Sequence, residues 1–229
     1  MAYGTTPKKS HLRYRFRTQP TPVEFPDDAG MAETRRHFEL RTLLFQSLKQ
    51  AFAERCSIGS SQLLYWNAAD PSRFIAPDVM LKAGVPDHLF ACWKTWERGS
   101  PEVAVEIVSD KDSTELAWDE KLGCYLEMGV AEVVRFDPVA GADYLRLWSR
   151  MGSDLIEREL DNPKLAESSA LDITWVVLRD PVLGRTLRVA SDKAGSMLLP
   201  TPAEKESILR ANAEQRVREL QEELRRRGG

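Results

Sequence analysis

The chain has 229 residues, of which 42% are hydrophobic and 29% are charged, with a formal net charge of −3. This length and composition are typical of one compact domain with appended segments, and they disfavour collagen-like and wholly disordered proteins. No apolar run approaches the ~20 residues that span a bilayer, and the nearly balanced charge disfavours a protein that coats nucleic acid. We therefore expect a cytoplasmic globular protein with no membrane partner.

Residues 1–30 are predicted to form a flexible basic tail and linker. The charged residues among the first 18 are all positive: Lys8, Lys9, Arg13, Arg15 and Arg17. These cations could bind phosphate, but basic residues that alternate with apolar ones are also typical of an edge strand with solvated arginines, which we favour. The prolines and the Asp-Gly cluster between residues 20 and 30 indicate an irregular linker.

Alternating helix and strand patterns predict an α/β domain over residues 31–200. Apolar residues recur at helical spacing from 31 to 55, and short apolar runs at 61–67 and 73–82 indicate strands. The sequence VAVEIVS at 103–109 predicts a core strand, followed by a helix that ends near Gly129 and a strand at 131–136. Further strands are predicted at 144–149, 173–178 and 186–189. Residues 201–229 predict a charged helix with a weak apolar stripe, able to form a coiled coil.

Two carboxylates interrupt the apolar strands of this domain. Asp78 lies in IAPDVML and Glu106 in VAVEIVS. Because two buried carboxylates on neighbouring strands repel each other, the pair requires a proton or a cation between them. Mg²⁺ or Mn²⁺ would accept both carboxylates and the backbone carbonyl of Ile107. Lys121, on the following helix, could then position water or neutralise a phosphate.

The residues around these carboxylates resemble the Uma-two family of restriction-endonuclease-like proteins. The resemblance rests on Pro77-Asp78, on the strand ending at Ser109, and on three later groups: Asp119-Glu120-Lys121 with Tyr125, Gly129-Val130 with Glu132, and Asp137-Pro138. It extends from about Met31 to the C-terminus. It implies the PD-(D/E)XK nuclease fold, a mixed β-sheet flanked by helices, here with extra strands and the C-terminal helix. It also implies metal-dependent hydrolysis of phosphodiester bonds in nucleic acid, with DNA as the expected substrate.

The resemblance also assigns roles to individual residues. Asp78, Glu106 and Lys121 become the catalytic candidates, and the ligands expected for Mg²⁺ or Mn²⁺ are Asp78, Glu106 and Ile107. His37 and Tyr125 are expected to support those ligands. The lysine normally found two residues after the glutamate is replaced by Val108, so the resemblance assigns its role to Lys121 rather than Lys111.

Structural roles remain open for each of these residues. Asp78 could bond backbone amides at a strand end, and Glu106 could form a buried ion pair with Arg73 or Lys121. Glu33 and Glu39 could reach the metal from the first helix, although glutamates on helix surfaces are usually solvated. A catalytically inactive nuclease fold that acts in binding or assembly is therefore the alternative function. A homodimer through the last helix would suit cleavage of both strands of a duplex.

Overall fold

A computed structural model describes residues 33–109 and 115–227 of the chain, with the side chains of 115–117 left out. The predicted basic tail and linker and Lys111 lie outside the described part. The predicted division into a tail, a nuclease domain and a C-terminal helix stays a prediction. Among the described residues, no helix is both long and apolar enough to cross a bilayer.

Four helices and twelve strands make up the described chain. The helices are α1 (Arg35–Phe52), α2 (Thr95–Arg98), α3 (Glu115–Met128) and α4 (Pro202–Arg227). The strands are β1 (Cys56–Gly59), β2 (Leu64–Tyr65), β3 (Phe74–Ile75), β4 (Val79–Ala83), β5 (Trp93–Lys94), β6 (Val103–Ile107), β7 (Glu132–Phe136), β8 (Leu145–Met151), β9 (Asp154–Glu157), β10 (Leu165–Glu167), β11 (Thr174–Asp180) and β12 (Gly184–Ala190).

A six-stranded mixed sheet forms the centre of the fold. Its strand order is β1-β4-β6-β7-β8-β9. Strands β6 and β7 are parallel, whereas the other neighbouring pairs are antiparallel. The parallel pair is connected through α3, as expected for a crossover between parallel strands. The predicted class, a mixed β-sheet flanked by helices, is therefore confirmed, and the additional strands form two three-stranded sheets, β10-β11-β12 and β3-β2-β5.

Both faces of the central sheet are covered by other elements. Alternate residues of each strand point to opposite faces, so each face contributes its own apolar side chains. Leu40, Leu44 and Leu48 of α1 recur every four residues and pack in one apolar cluster with Val105 of β6. The β10-β11-β12 sheet contributes to that same cluster. The opposite face carries Ala104 and its neighbours, which pack against the aromatic side chains of α3. The ends of the central strands consequently lie between two helices.

The start of α4 is fixed by a reciprocal pair of hydrogen bonds. The Glu204 amide donates to the Thr201 hydroxyl, and the Glu204 carboxylate accepts from the Thr201 amide, which is the capping-box arrangement. Pro202 occupies the first helical position, where no amide hydrogen is needed. Arg188 of β12 donates to both Glu204 oxygens and so attaches this first turn to the body of the protein.

Candidate active site at one edge of the central sheet

Strand register brings four charged residues into one row across the central sheet. In the β4–β6 pair Val79 lies opposite Val105, and continuing that register by one residue puts Asp78 opposite Glu106. Glu106 is in turn the partner of Arg135 on β7, and Arg135 is the partner of Arg146 on β8. Residues opposite each other on neighbouring strands share a face of the sheet. Two negative charges therefore lie beside two positive charges at the same end of the strands.

Asp78 is held at the end of β4 by the backbone of β6. Its Oδ2 accepts a 2.7 Å hydrogen bond from the amide of Ile107, and only 8% of the residue is exposed. Nε2 of His37 lies 3.3 Å from the same oxygen and 2.8 Å from the carbonyl oxygen of Ile107. The Asp78 carboxylate and the Ile107 carbonyl thus both contact the same ring nitrogen of His37.

The His37 side of the site is a network on α1. Nδ1 of His37 lies 2.7 Å from Glu33, whose two carboxylate oxygens also accept hydrogen bonds from Arg41. Burial lowers the pKa of His37, but the hydrogen bond and charge of Asp78, together with Glu33, outweigh it and raise the pKa to about 9. The imidazole is therefore a cation at neutral pH. Glu39, the other helix glutamate considered from sequence, pairs instead with exposed Arg35.

The Glu106 side of the site is built by α3. Tyr125 donates to Glu106 Oε1 at 2.5 Å, and the Lys121 ammonium donates to Oε2 at 3.1 Å. Lys121 and Tyr125 are four residues apart, so both reach the sheet from one face of the helix. The predicted alternative of a buried Glu106–Lys121 ion pair is thus part of the observed geometry, whereas Arg73 pairs with Glu127.

Burial raises the pKa of Glu106 and of Tyr125. Desolvation raises the pKa of Glu106 to about 7; the Lys121 charge opposes this rise, and the Asp78 charge adds to it. Desolvation and the Glu106 charge raise the pKa of Tyr125 well above 10. Tyr125 is accordingly a neutral donor, and Glu106 gains or loses its proton near neutrality. A carboxyl group with this pKa loses its proton readily when a cation binds.

Arg135 is a cation of this row that the sequence analysis missed. Its guanidinium lies 5.5 Å from the centre of the Trp118 ring, a cation–π distance. Within the described residues, the buried Nε of Arg135 and the buried indole nitrogen of Trp118 have no hydrogen-bond partner. A charged residue inside the apolar run EVVRF is the signal that could have found it, since Glu106 was found in the same way.

The oxygen atoms of the site fit a hard divalent cation. A ring nitrogen or carboxylate oxygen from each of Glu33, His37 and Asp78 lies within 4.8 Å of the other two. Because metal ligands must be deprotonated, the protonated His37 offers a donor rather than a ligand. Of that group, Glu33 and Asp78 are left as carboxylate ligands, and Glu106 and the Ile107 carbonyl are the further ligands expected from the sequence. Two carboxylates and a carbonyl are the set that Mg²⁺ or Mn²⁺ prefers.

The residues expected to be catalytic, to bind the metal or to support its ligands lie in one cluster: His37, Asp78, Glu106, Ile107, Lys121 and Tyr125. Glu33, which lies just before α1 and is exposed, joins the cluster on the His37 side. Arg41 was not found from sequence, because its position on α1 carries no pattern that distinguishes it from a surface arginine.

Together, the fold and the site define a mixed α/β protein with a carboxylate–lysine cluster at the edge of its sheet. The family described as Uma2, "Putative restriction endonuclease", matches residues 23–170. The chain therefore belongs to the Uma2 family, which confirms the resemblance seen in the sequence.

Comparison with solved structures gives a distant likeness to a crystal structure of a "putative nuclease belonging to DUF820" from Anabaena variabilis ATCC 29413. That likeness has 10% sequence identity and a TM-score of 0.44, and it covers 66% of this chain and 75% of the other. No curated protein matches the chain.

Proposed function

We propose that this protein is a metal-dependent endonuclease that hydrolyses phosphodiester bonds in DNA. The observation that carries the proposal is the row Asp78–Glu106–Arg135 with Lys121 beside it, in a chain of the family described as "Putative restriction endonuclease". Carboxylates, a lysine and an arginine at one sheet edge are the groups that metal-assisted hydrolysis of a phosphodiester requires. The cytoplasm is the expected compartment.

In this proposal Asp78, Glu106 and the Ile107 carbonyl hold Mg²⁺ or Mn²⁺. When bound, the cation would supply Lewis-acid stabilisation of the charge that develops on the phosphate. Lys121, 3.1 Å from Glu106, orients the attacking water or takes up part of the phosphate charge. Arg135, one strand further along the row, donates to a non-bridging phosphate oxygen through the terminal nitrogens of its guanidinium.

Two further residues position the ligands. His37 bonds the Ile107 carbonyl and lies beside Asp78, so it fixes the direction in which both oxygens point. Tyr125 fixes one oxygen of Glu106 and leaves the second facing Lys121. Contacts of this kind determine the precision of a metal site as much as the ligands do.

Cleavage of supercoiled plasmid and of single-stranded DNA tests the proposal. Wild type should cut with Mg²⁺ or Mn²⁺ and not with a chelator, and Asp78→Ala, Glu106→Ala and Lys121→Ala should each lose the activity. Lys82→Ala is the matched control, because Lys82 also pairs with a glutamate, Glu102, but at the other end of β4. Cutting that persists in a chelator, or in all three variants, would contradict the proposal.

A catalytically inactive nuclease fold that acts in binding or assembly is the second candidate. The observation that favours it is that Lys121 and Tyr125 donate hydrogen bonds to the two oxygens of Glu106, which would otherwise be open to a metal ion. Calorimetric titration with Mn²⁺ distinguishes the two when no substrate is cut. Binding that depends on Asp78 and Glu106 favours an enzyme given the wrong substrate, and no binding favours the inactive fold.

A further inference from the structure

Helix α4 extends away from the body of the protein with its whole length exposed. Every described residue from Pro202 to Arg227 is solvent-exposed, including Leu209, Val217, Leu220 and Leu224. A helix of 26 residues gains most of its stability in a protein from packing of an apolar face, and α4 has no such packing beyond its first turn. The helix therefore carries a face that a partner would cover.

The apolar residues of α4 form one narrow stripe. At about 100° per residue, Leu209, Ala213, Val217, Leu220 and Leu224 fall within an arc of about 80°. The same arc contains Glu206 before the stripe and Arg227 after it. The stripe thus has an acidic residue at one end and a basic residue at the other.

The order of residues along the stripe selects the direction of the partner. If two copies run antiparallel about a midpoint between residues 216 and 217, Leu209 faces Leu224 and Ala213 faces Leu220. In that register Glu206 of each copy lies level with Arg227 of the other. In a parallel pair Glu206 would meet Glu206 and Arg227 would meet Arg227, which is unfavourable because like charges repel.

The charge of the whole helix agrees with this choice. Residues 202–214 contain three acids and two bases, whereas residues 215–227 contain three acids and five bases. Antiparallel pairing brings the acidic half of one helix against the basic half of the other. Because acids and bases nearly balance over the helix, it is a poor match for the uniform negative charge of nucleic acid.

We infer that α4 pairs with α4 of a second copy of this chain as an antiparallel two-helix coiled coil, and that the protein is a homodimer. The inference does not depend on nuclease activity. Since each helix begins about 22 Å from the midpoint, the two bodies are held at opposite ends of a rod about 44 Å long.

Light scattering of the full-length chain tests the pairing. Wild type at micromolar concentration should have twice the 26.0 kDa mass of the chain. Leu220→Asp should raise the dissociation constant at least about tenfold, because a charge replaces an apolar side chain at the centre of the interface. Ala211→Asp is the matched control: it adds the same residue to the opposite face of α4 and should leave the mass unchanged. A monomeric wild type, or a dimer unaffected by Leu220→Asp, would overturn the inference.

Disulfide trapping tests the direction. Leu209→Cys and Leu224→Cys should cross-link when the two variants are mixed and oxidised, whereas each variant alone should not. The wild-type chain, which retains its own three cysteines, gives the background. Cross-linking of either variant with itself would show a parallel pair and would refute the antiparallel arrangement.

Discussion

Replacing Glu106 by glutamine should stabilise the protein while removing the function we propose for it. Glu106 is only 5% exposed, and its burial raises its pKa from the ordinary 4.5 to about 7. A rise of that size means that ionising Glu106 costs about 3 kcal/mol more in the folded protein than in the unfolded chain. Glutamine avoids this cost, because it never ionises, and its carbonyl oxygen can still accept from Tyr125.

The sign of the pH dependence follows from the raised pKa. The folded state binds the Glu106 proton more tightly than the unfolded state does. The stability that this proton contributes is therefore present in full below pH 4.5 and is lost as the pH rises through about 7. The stability advantage of Glu106→Gln over wild type should accordingly be small in acid and should grow by about 2.5 kcal/mol between about pH 5 and pH 8.

Urea unfolding followed by tryptophan fluorescence, in the presence of a chelator, measures this difference. Glu102→Gln is the control, since it removes a carboxylate that pairs with Lys82 at the opposite end of the sheet. If Glu106→Gln and wild type differ by the same free energy of unfolding at pH 5 and at pH 8, the reasoning is refuted. Added Mn²⁺ should stabilise wild type more than Glu106→Gln, because only wild type can offer the carboxylate.

Three further predictions concern single side chains. Tyr125→Phe removes a hydrogen bond that lowers the pKa of Glu106, so the acid limb of the cleavage profile against pH should move to higher pH. Arg135→Ala should raise KM for DNA more than it lowers kcat, and steady-state cleavage kinetics measure both constants. An unchanged KM would exclude a contact between Arg135 and the phosphate. Glu132→Ala should lower the free energy of unfolding by about 3 kcal/mol, because it leaves buried donors, including the Trp175 indole, without their acceptor. Urea titration at one pH measures this free energy.

The central part of the fold could be predicted because its sequence patterns are local. The run VAVEIVS predicts a core strand, and β6 occupies Val103–Ile107 within it. The helical spacing over 31–55 likewise predicts α1, which spans Arg35–Phe52. Strand order and register could not be predicted in this way, since they depend on contacts between residues distant in the sequence.

The same distinction applies to the candidate site. Asp78 and Glu106 stand out because a carboxylate in an apolar strand is unusual, whichever strand lies beside it. The pairing of Glu106 with Arg135 depends on the register between β6 and β7, and the Glu33–Arg41 contact depends on how α1 lies over the sheet. Only a folded structure supplies that information.

The two sides of the site belong to different layers of the protein. His37 on α1 and Glu33 just before that helix approach one side of the sheet edge, and Lys121 and Tyr125 approach the other side from α3. Asp78 and Glu106 lie between them. Substitutions in one helix can therefore alter how the Asp78 and Ile107 oxygens are held without disturbing the groups around Glu106. The α1 side and the α3 side of the site can therefore be probed separately, by substitutions in one helix at a time.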